Sequence, residues 1–365
     1  MSDAPVLKDF IDRRSVAAVV SAVATAAGGF DEDIILEHIF DHEWERRALK
    51  QRIRHIAVSI RPHLPDDYAA ALQIMRQAAP GVDGGGMSLW AFNDFVEEYG
   101  VDDPDLSLPA LEQFTELASS EFAVRPFIVE YPERMATQML AWARDPSPQV
   151  RRLASEGFRP RLPGGMGLPE LKQDPAPIIP VLEELKRDPC DDVRRSVANN
   201  LNDISKDHPQ LVVDLLTEWA DDSSEMDALI KHALRTLLKQ GHPGALELLG
   251  FRRDARVDLI AAVVDPVVVR VGDGTVLSLE IRSTTDAVQR LMVDYAVVFQ
   301  NASGTGSRKV YKGVVVDLAG GESFALSRKI SLAQRTTRRI IAGPHSVEVQ
   351  VNGDVLARVR FDVVE

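Results

Sequence analysis

Asp145-Pro146 followed by Val150-Arg151-Arg152 returns 43 residues later as Asp188-Pro189 followed by Val193-Arg194-Arg195, with the same internal spacing. A pattern repeated at a fixed interval constrains a fold strongly. Each copy must be one supersecondary unit that buries its apolar face against its neighbours. Each copy follows an apolar stretch with helical spacing, residues 135–142 and 178–185, and opens a second such stretch. The Asp is expected to cap that second helix. The Pro is expected in its first turn, where a missing N–H costs no intrahelical bond.

A helix, a tight turn and a helix recurring at about 40–47 residues is the period of HEAT-type α-solenoids. Residues 1–265 read as helical throughout. Apolar positions three and four apart mark 9–26, 31–42, 44–60, 66–79, 89–99 and 109–120. Hairpins then run in series: 126–144 with 145–158, 175–187 with 188–201, and 208–221 with 225–240, followed by a short helix at 243–249. The Gly-rich stretch 81–86 lacks a Gly-Lys-Ser/Thr ending and a preceding strand, so it reads as a plain loop. Residues 159–173, with three prolines and three glycines, read as a loop inserted between hairpins. From Val263 the apolar period changes to that of strands, over 267–271, 276–282, 289–299, 308–318, 322–330 and 345–351. Asn352-Gly353 is a hairpin turn signal. The expected architecture is an all-α HEAT-like α-solenoid over 1–264, then an all-β immunoglobulin-like sandwich over 265–365.

The single cysteine, Cys190, rules out an intrachain disulfide and points to a reducing compartment. The apolar run 16–27 is too short to span a bilayer, and the charged first 14 residues are no secretory signal. A cytoplasmic protein without a membrane partner is expected. The net charge of −13 is unevenly spread. Residues 1–120 hold 10 basic and 21 acidic side chains, whereas 121–161 hold seven arginines against five acids. Residues 162–265 hold 12 against 19, and 266–365 hold 13 against 10. A polyanion responds to charge within a Debye length of about 8–10 Å, so local basic patches outweigh the global sum.

No nucleophile constellation is present, and His38 and His42, four apart on a helix, lack a third ligand for a metal. The carboxylates are more telling. Glu121, Glu156 and Asp203 fall near the C-terminal ends of second helices in successive hairpins, where they oppose the helix dipole. Stacking the hairpins lines them along one rim, flanked by Arg125, Arg152, Arg159, Arg161 and Arg195. Either these arginines simply compensate the acids, or the negative charge is needed for chemistry. An acidic cluster inside a basic rim suits stabilisation of a cation formed on a polyanionic substrate. Breaking an N-glycosidic bond forms such a cation on the sugar.

Ser120-Glu121-Phe122-Ala123-Val124-Arg125-Pro126-Phe127, the stretch Val150 to Pro163, Val197-Ala198-Asn199-Asn200-Leu201-Asn202-Asp203-Ile204 and Gly241-His242-Pro243-Gly244 resemble the bacterial AlkC-type DNA alkylation repair glycosylases. These are HEAT-like relatives of the AlkD type, and one subgroup carries a C-terminal immunoglobulin-like domain. The resemblance implies excision of N3-methylcytosine and N3-methyladenine, with N1-methyladenine a further candidate, from double-stranded DNA. It implies no cofactor, a monomer, and a place at the bacterial nucleoid. Carried over by motif position, Glu121, Glu156 and Asp203 become the lesion-facing acids, and Arg152 and Arg159 the phosphate-facing cations. Further DNA contacts expected are Arg125, Arg161, Arg195, Asn200 and Lys206. Phe122 and Phe158 are candidates to stack on a base, while Trp142 is assigned to the core. In the β-domain, Arg335, Arg338 and Arg339 cluster between strands, and Arg308, Lys309 and Lys312 are further cations. The acidic 1–120 region is expected to face away from the duplex. A non-catalytic HEAT scaffold that binds DNA or a protein is the competing reading, since such arrays host many functions.

Overall fold

The computed structural model describes residues 7–252, 254–300, 306–334 and 339–365. The chain divides into two compact units, the first reaching Asp207 and including Ser223–Leu229, the second comprising His208–Asp222 and Ile230–Glu365.

The first unit is helical. Asp12 opens the Arg13–Ala26 helix with a capping box, its carboxylate accepting from the Ser15 N–H at 2.7 Å. Val16, Val19, Val20 and Val23 of that helix are fully buried, the i, i+3, i+4, i+7 stripe of a core-facing helix. Each repeated motif joins two helices, Pro132–Trp142 to Pro148–Gly157 and Ile179–Leu185 to Asp191–Ile204. The repeated Asp does not cap, contrary to expectation. Asp145 accepts from the Ser147 N–H and Asp188 from the Cys190 N–H, each at 2.8 Å, so the carboxylate closes the turn two residues on. Ser147 and Cys190 are the N-cap residues, and Pro146 and Pro189 precede them. The first Arg of each pair serves this turn. Arg151 donates to the carbonyls of Asp145 and Pro146, and Arg194 to those of Asp188 and Pro189. Arg151 also forks onto the buried carboxylate of Asp188 and so links one copy to the next.

Other bounds shift for local reasons. The helix expected at 109–120 runs Pro104–Thr115, started by Asp103 at its cap and Pro104 in its first turn. The expected 126–144 helix breaks at Tyr131, because Pro132 has no N–H with which to continue the ladder. The 159–173 loop ends in a short helix, Pro169–Gln173. Among the described residues no helix is long and apolar enough to cross a membrane.

The second unit begins with helices, among them Pro209–Trp219, Arg235–Gln240 and Pro243–Leu248. Among the described residues eight strands follow: β1 (Val257–Asp265), β2 (Val268–Arg270), β3 (Gly274–Ser283), β4 (Gln289–Gln300), β5 (Gly306–Leu318), β6 (Ser323–Ser331), β7 (Gly343–Val351) and β8 (Asp354–Val364). They form a three-stranded sheet, β1-β3-β6, and a five-stranded sheet, β2-β8-β7-β4-β5. Leu277, Leu279 and Ile281 of the first bury with Leu291, Val293, Val347, Val349 and Phe361 of the second. Strand structure starts at Val257, ahead of the expected change of period at Val263 and of the domain start at 265. Asn352 and Gly353, at φ 47° and 86°, make the expected hairpin turn between β7 and β8. Gly353 lies directly against Gly241, the left-handed C-cap of Arg235–Gln240.

Candidate active site

Glu156 lies in the last turn of Pro148–Gly157 and Asp203 in the last turn of Asp191–Ile204. Glu121 lies in the turn before Arg125–Glu130 instead of at a helix end, a correction to its expected place. The three acids nevertheless meet, with cations alternating between them. Arg152 Nη1 donates to Glu121 at 3.0 Å, and its Nη2 stands 4.0 Å from Glu156. Arg159 donates through Nη1 to Glu156 and through Nε to Asp203 at 2.8 Å. Lys206 closes the row, with Nζ 2.9 Å from the other oxygen of Asp203.

The cations differ in accessibility. The Arg159 side chain is 8% exposed, against 35% for Arg152 and 37% for Lys206. Burial opposes the charge on Arg159, but Glu156 and Asp203 outweigh it and hold the guanidinium above its ordinary pKa. Arg159 is therefore held between two buried carboxylates, unlike the more exposed Arg152 with which it shares the expected phosphate-facing role.

A set of small polar side chains, not singled out from the sequence, orients the acids. Ser196 donates to Glu156 at 2.6 Å and lies 2.9 Å from the Ser155 hydroxyl. One hydroxyl hydrogen cannot serve both, so Ser155 donates to Ser196. Ser119 donates to Glu121 at 2.9 Å. Asn93 holds the same turn through the Ala118 carbonyl and the Ser120 hydroxyl. The signal for them is positional: Ser119 and Ser155 stand within two residues of an acid in the chain, whereas Ser196 reaches Glu156 from the neighbouring helix, a relation that appears only on folding.

Several expected contacts lie elsewhere. Arg125 is fully buried and donates to the carbonyls of Met166, Gly157 and Arg159, fixing the loop that carries Arg159. Burial, with repulsion from Arg159, brings its pKa down to about 10, still cationic at neutral pH. Phe158 is a core ring, and Asn200 is buried with its amide on the Ser155 carbonyl, so neither reaches a ligand in this arrangement. Trp142 is core, as expected, with its indole N–H on Glu112. Arg161 pairs with Asp207, and the exposed Arg195 with Asp191 and Asp192 of its own helix. Phe122 is half-buried, edge to face with Trp90 at 6.0 Å. In the β-domain, Arg308 pairs with Glu348 and Lys309 lies over Tyr311, while Arg339 is exposed. Arg335 and Arg338 lie outside the described residues. His42 is exposed beside Glu43, and His38 packs near His55.

Comparison with known proteins adds to this geometry. A HEAT repeat is matched at residues 178–208, the hairpin holding the second copy of the motif. The family described as "Uncharacterised protein YhaZ, C-terminal Ig-like domain" is matched at residues 259–365. The chain is 38% identical to YhaZ of Bacillus subtilis, over 98% of this chain and 99% of that protein. Among solved structures it is similar to the alkylpurine DNA glycosylase AlkC of Pseudomonas fluorescens bound to DNA containing an abasic site analog. The TM-score is 0.94 and the identity 35%, over 99% of this chain and all of that one.

Proposed function

Because the chain belongs to the AlkC-type family of DNA alkylation repair glycosylases, in the subgroup with a C-terminal immunoglobulin-like domain, we propose that it excises cationic alkylated bases from double-stranded DNA. Its substrates are 3-methylcytosine and 3-methyladenine, with 1-methyladenine to be tested beside them. It works as a cofactor-free monomer at the nucleoid, with its hairpins stacked as a HEAT-like solenoid along the duplex. The observation that carries this reading is the alternating row Glu121–Arg152–Glu156–Arg159–Asp203–Lys206.

In the free protein the row is close to neutral, three carboxylates against three cations. Arg152 and Lys206 keep a solvent-facing side, so backbone phosphates draw these two outward. Glu121 and Asp203 then turn their charge toward the lesion. As the bond between C1′ and the base nitrogen breaks, the electron pair leaves with the alkylated base, which departs neutral because it was cationic. The carboxylates stabilise the positive charge on the sugar and orient a water, whose oxygen bonds to C1′ while its proton passes to a carboxylate or solvent. Phe122, half-buried next to Glu121, is the candidate ring to stack beside the lesion once Lys50 leaves its face.

The test is release of methylated bases from alkylated duplex DNA, resolved by chromatography. The parent is expected to release them, and Glu156→Ala and Asp203→Ala to slow single-turnover excision by about 10²–10³. Duplex binding without release would favour the scaffold reading.

A further inference from the structure

Residues 1–120 are acidic in sum, and on charge alone they face away from DNA. The Leu49–Ile60 helix departs from that balance, since it carries Lys50, Arg52, Arg54 and His55 and no acid. Most cations of this neighbourhood are occupied. Arg47 forks onto Asp41. Arg52 is buried under Trp44 and donates to the Lys8 carbonyl and to Glu45, each at 3.0 Å. Arg54 reaches Asp94, Glu98 and, at 3.5 Å, Glu97. Lys50 has no carboxylate within 4 Å among the described residues, although its charge acts on Asp94 at longer range. Its Nζ lies 4.6 Å from the centre of the Phe122 ring instead.

That ring marks the edge of the active site. Phe122 follows Glu121 in the chain and borders the loop at Gly164, where an added Cβ would touch its ring tip at 4.0 Å. A cavity of about 440 Å³ opens beside Lys50, between its helix and Trp90–Tyr99. An ammonium resting on a ring face keeps its N–H donors unspent, whereas one on a carboxylate does not.

We infer that Lys50 binds a backbone phosphodiester of the DNA on the Glu121 side of the site, so that one helix of the acidic region borders the duplex. This rests on the glycosylase reading above. The test is binding of undamaged duplex DNA across a range of KCl concentrations, by the parent, Lys50→Gln and Lys50→Arg. Loss of one phosphate contact removes about 0.9 from the slope of log K against log salt. Lys50→Gln is expected to weaken binding with that change in slope, and Lys50→Arg to keep the parent slope. If the parent binds duplex and Lys50→Gln shows the parent slope, the assignment is overturned and the glycosylase reading stands. A parent that binds no duplex at any salt would overturn both.

Discussion

Arg159 and Arg152 share Glu156 yet are expected to answer mutation in opposite ways. Arg159→Ala leaves Glu156 and Asp203 buried without their shared partner, and breaking such a pair typically costs about 3–5 kcal/mol. Urea unfolding should show a loss of that size, with the salt slope of DNA binding unchanged. Arg152 is a cation over which Glu121 and phosphate compete. Glu121→Gln should therefore tighten binding of undamaged duplex in the parent and have no such effect when Arg152 is Ala. Equal gains in both backgrounds would remove the competition from the mechanism. Glu156 and Asp203 were legible in the sequence because a carboxylate in the last turn of a helix opposes its dipole, and Glu121 because it stands beside them among the arginines of 121–161. The roles of Arg125, Arg159, Phe158 and Asn200 were not, because a sequence displays charge and aromaticity but not burial.

The five-stranded sheet carries a pH dependence of its own. Glu348 on β7 lies opposite Arg358 on β8 and accepts from Arg308 of β5 at 2.8 Å. Burial pushes its pKa up, but the two arginines outweigh this and hold it below the ordinary carboxylate value. A depressed carboxylate stabilises the fold above its unfolded pKa, and that contribution is lost as pH falls through the folded value. Acid titration of thermal stability should therefore show a steeper loss below about pH 4.3 for the parent than for Glu348→Gln. The same sheet shows how element type was read. β3 to β7 alternate or run β-branched, and their strands fell within a few residues of expectation. β1 did not, because Leu259-Ile260-Ala261-Ala262 suits a helix and a register shift between Leu259 and Ala261 breaks its alternation.

At the scale of the whole chain, the change from helix to strand was visible but its joint was not. Gly241 ends a helix at φ 71° and Gly353 turns a hairpin at φ 86°, and a Cβ on Gly353 would stand 2.6 Å from the Gly241 Cα. No periodicity reveals two backbones in contact 112 residues apart. Gly353→Ala should lower stability by about 1–3 kcal/mol through strain at positive φ, before any clash is counted. A thermal midpoint equal to the parent's would mean the hairpin shifts freely. The Asp-Pro motifs bear on how such a chain grows. Each copy holds both halves of a bond: a carboxylate that its predecessor's arginine can grip, and an arginine that can grip its successor's carboxylate. A tandem duplication of this segment therefore arrives with its coupling already written in. The second copy shows what the last in a line does, since no third copy of the whole motif follows it and Arg194 turns back to Asp191 at 3.3 Å. Lengthening by copying would need no compensating change elsewhere, and a register error of one residue would leave the hooks empty.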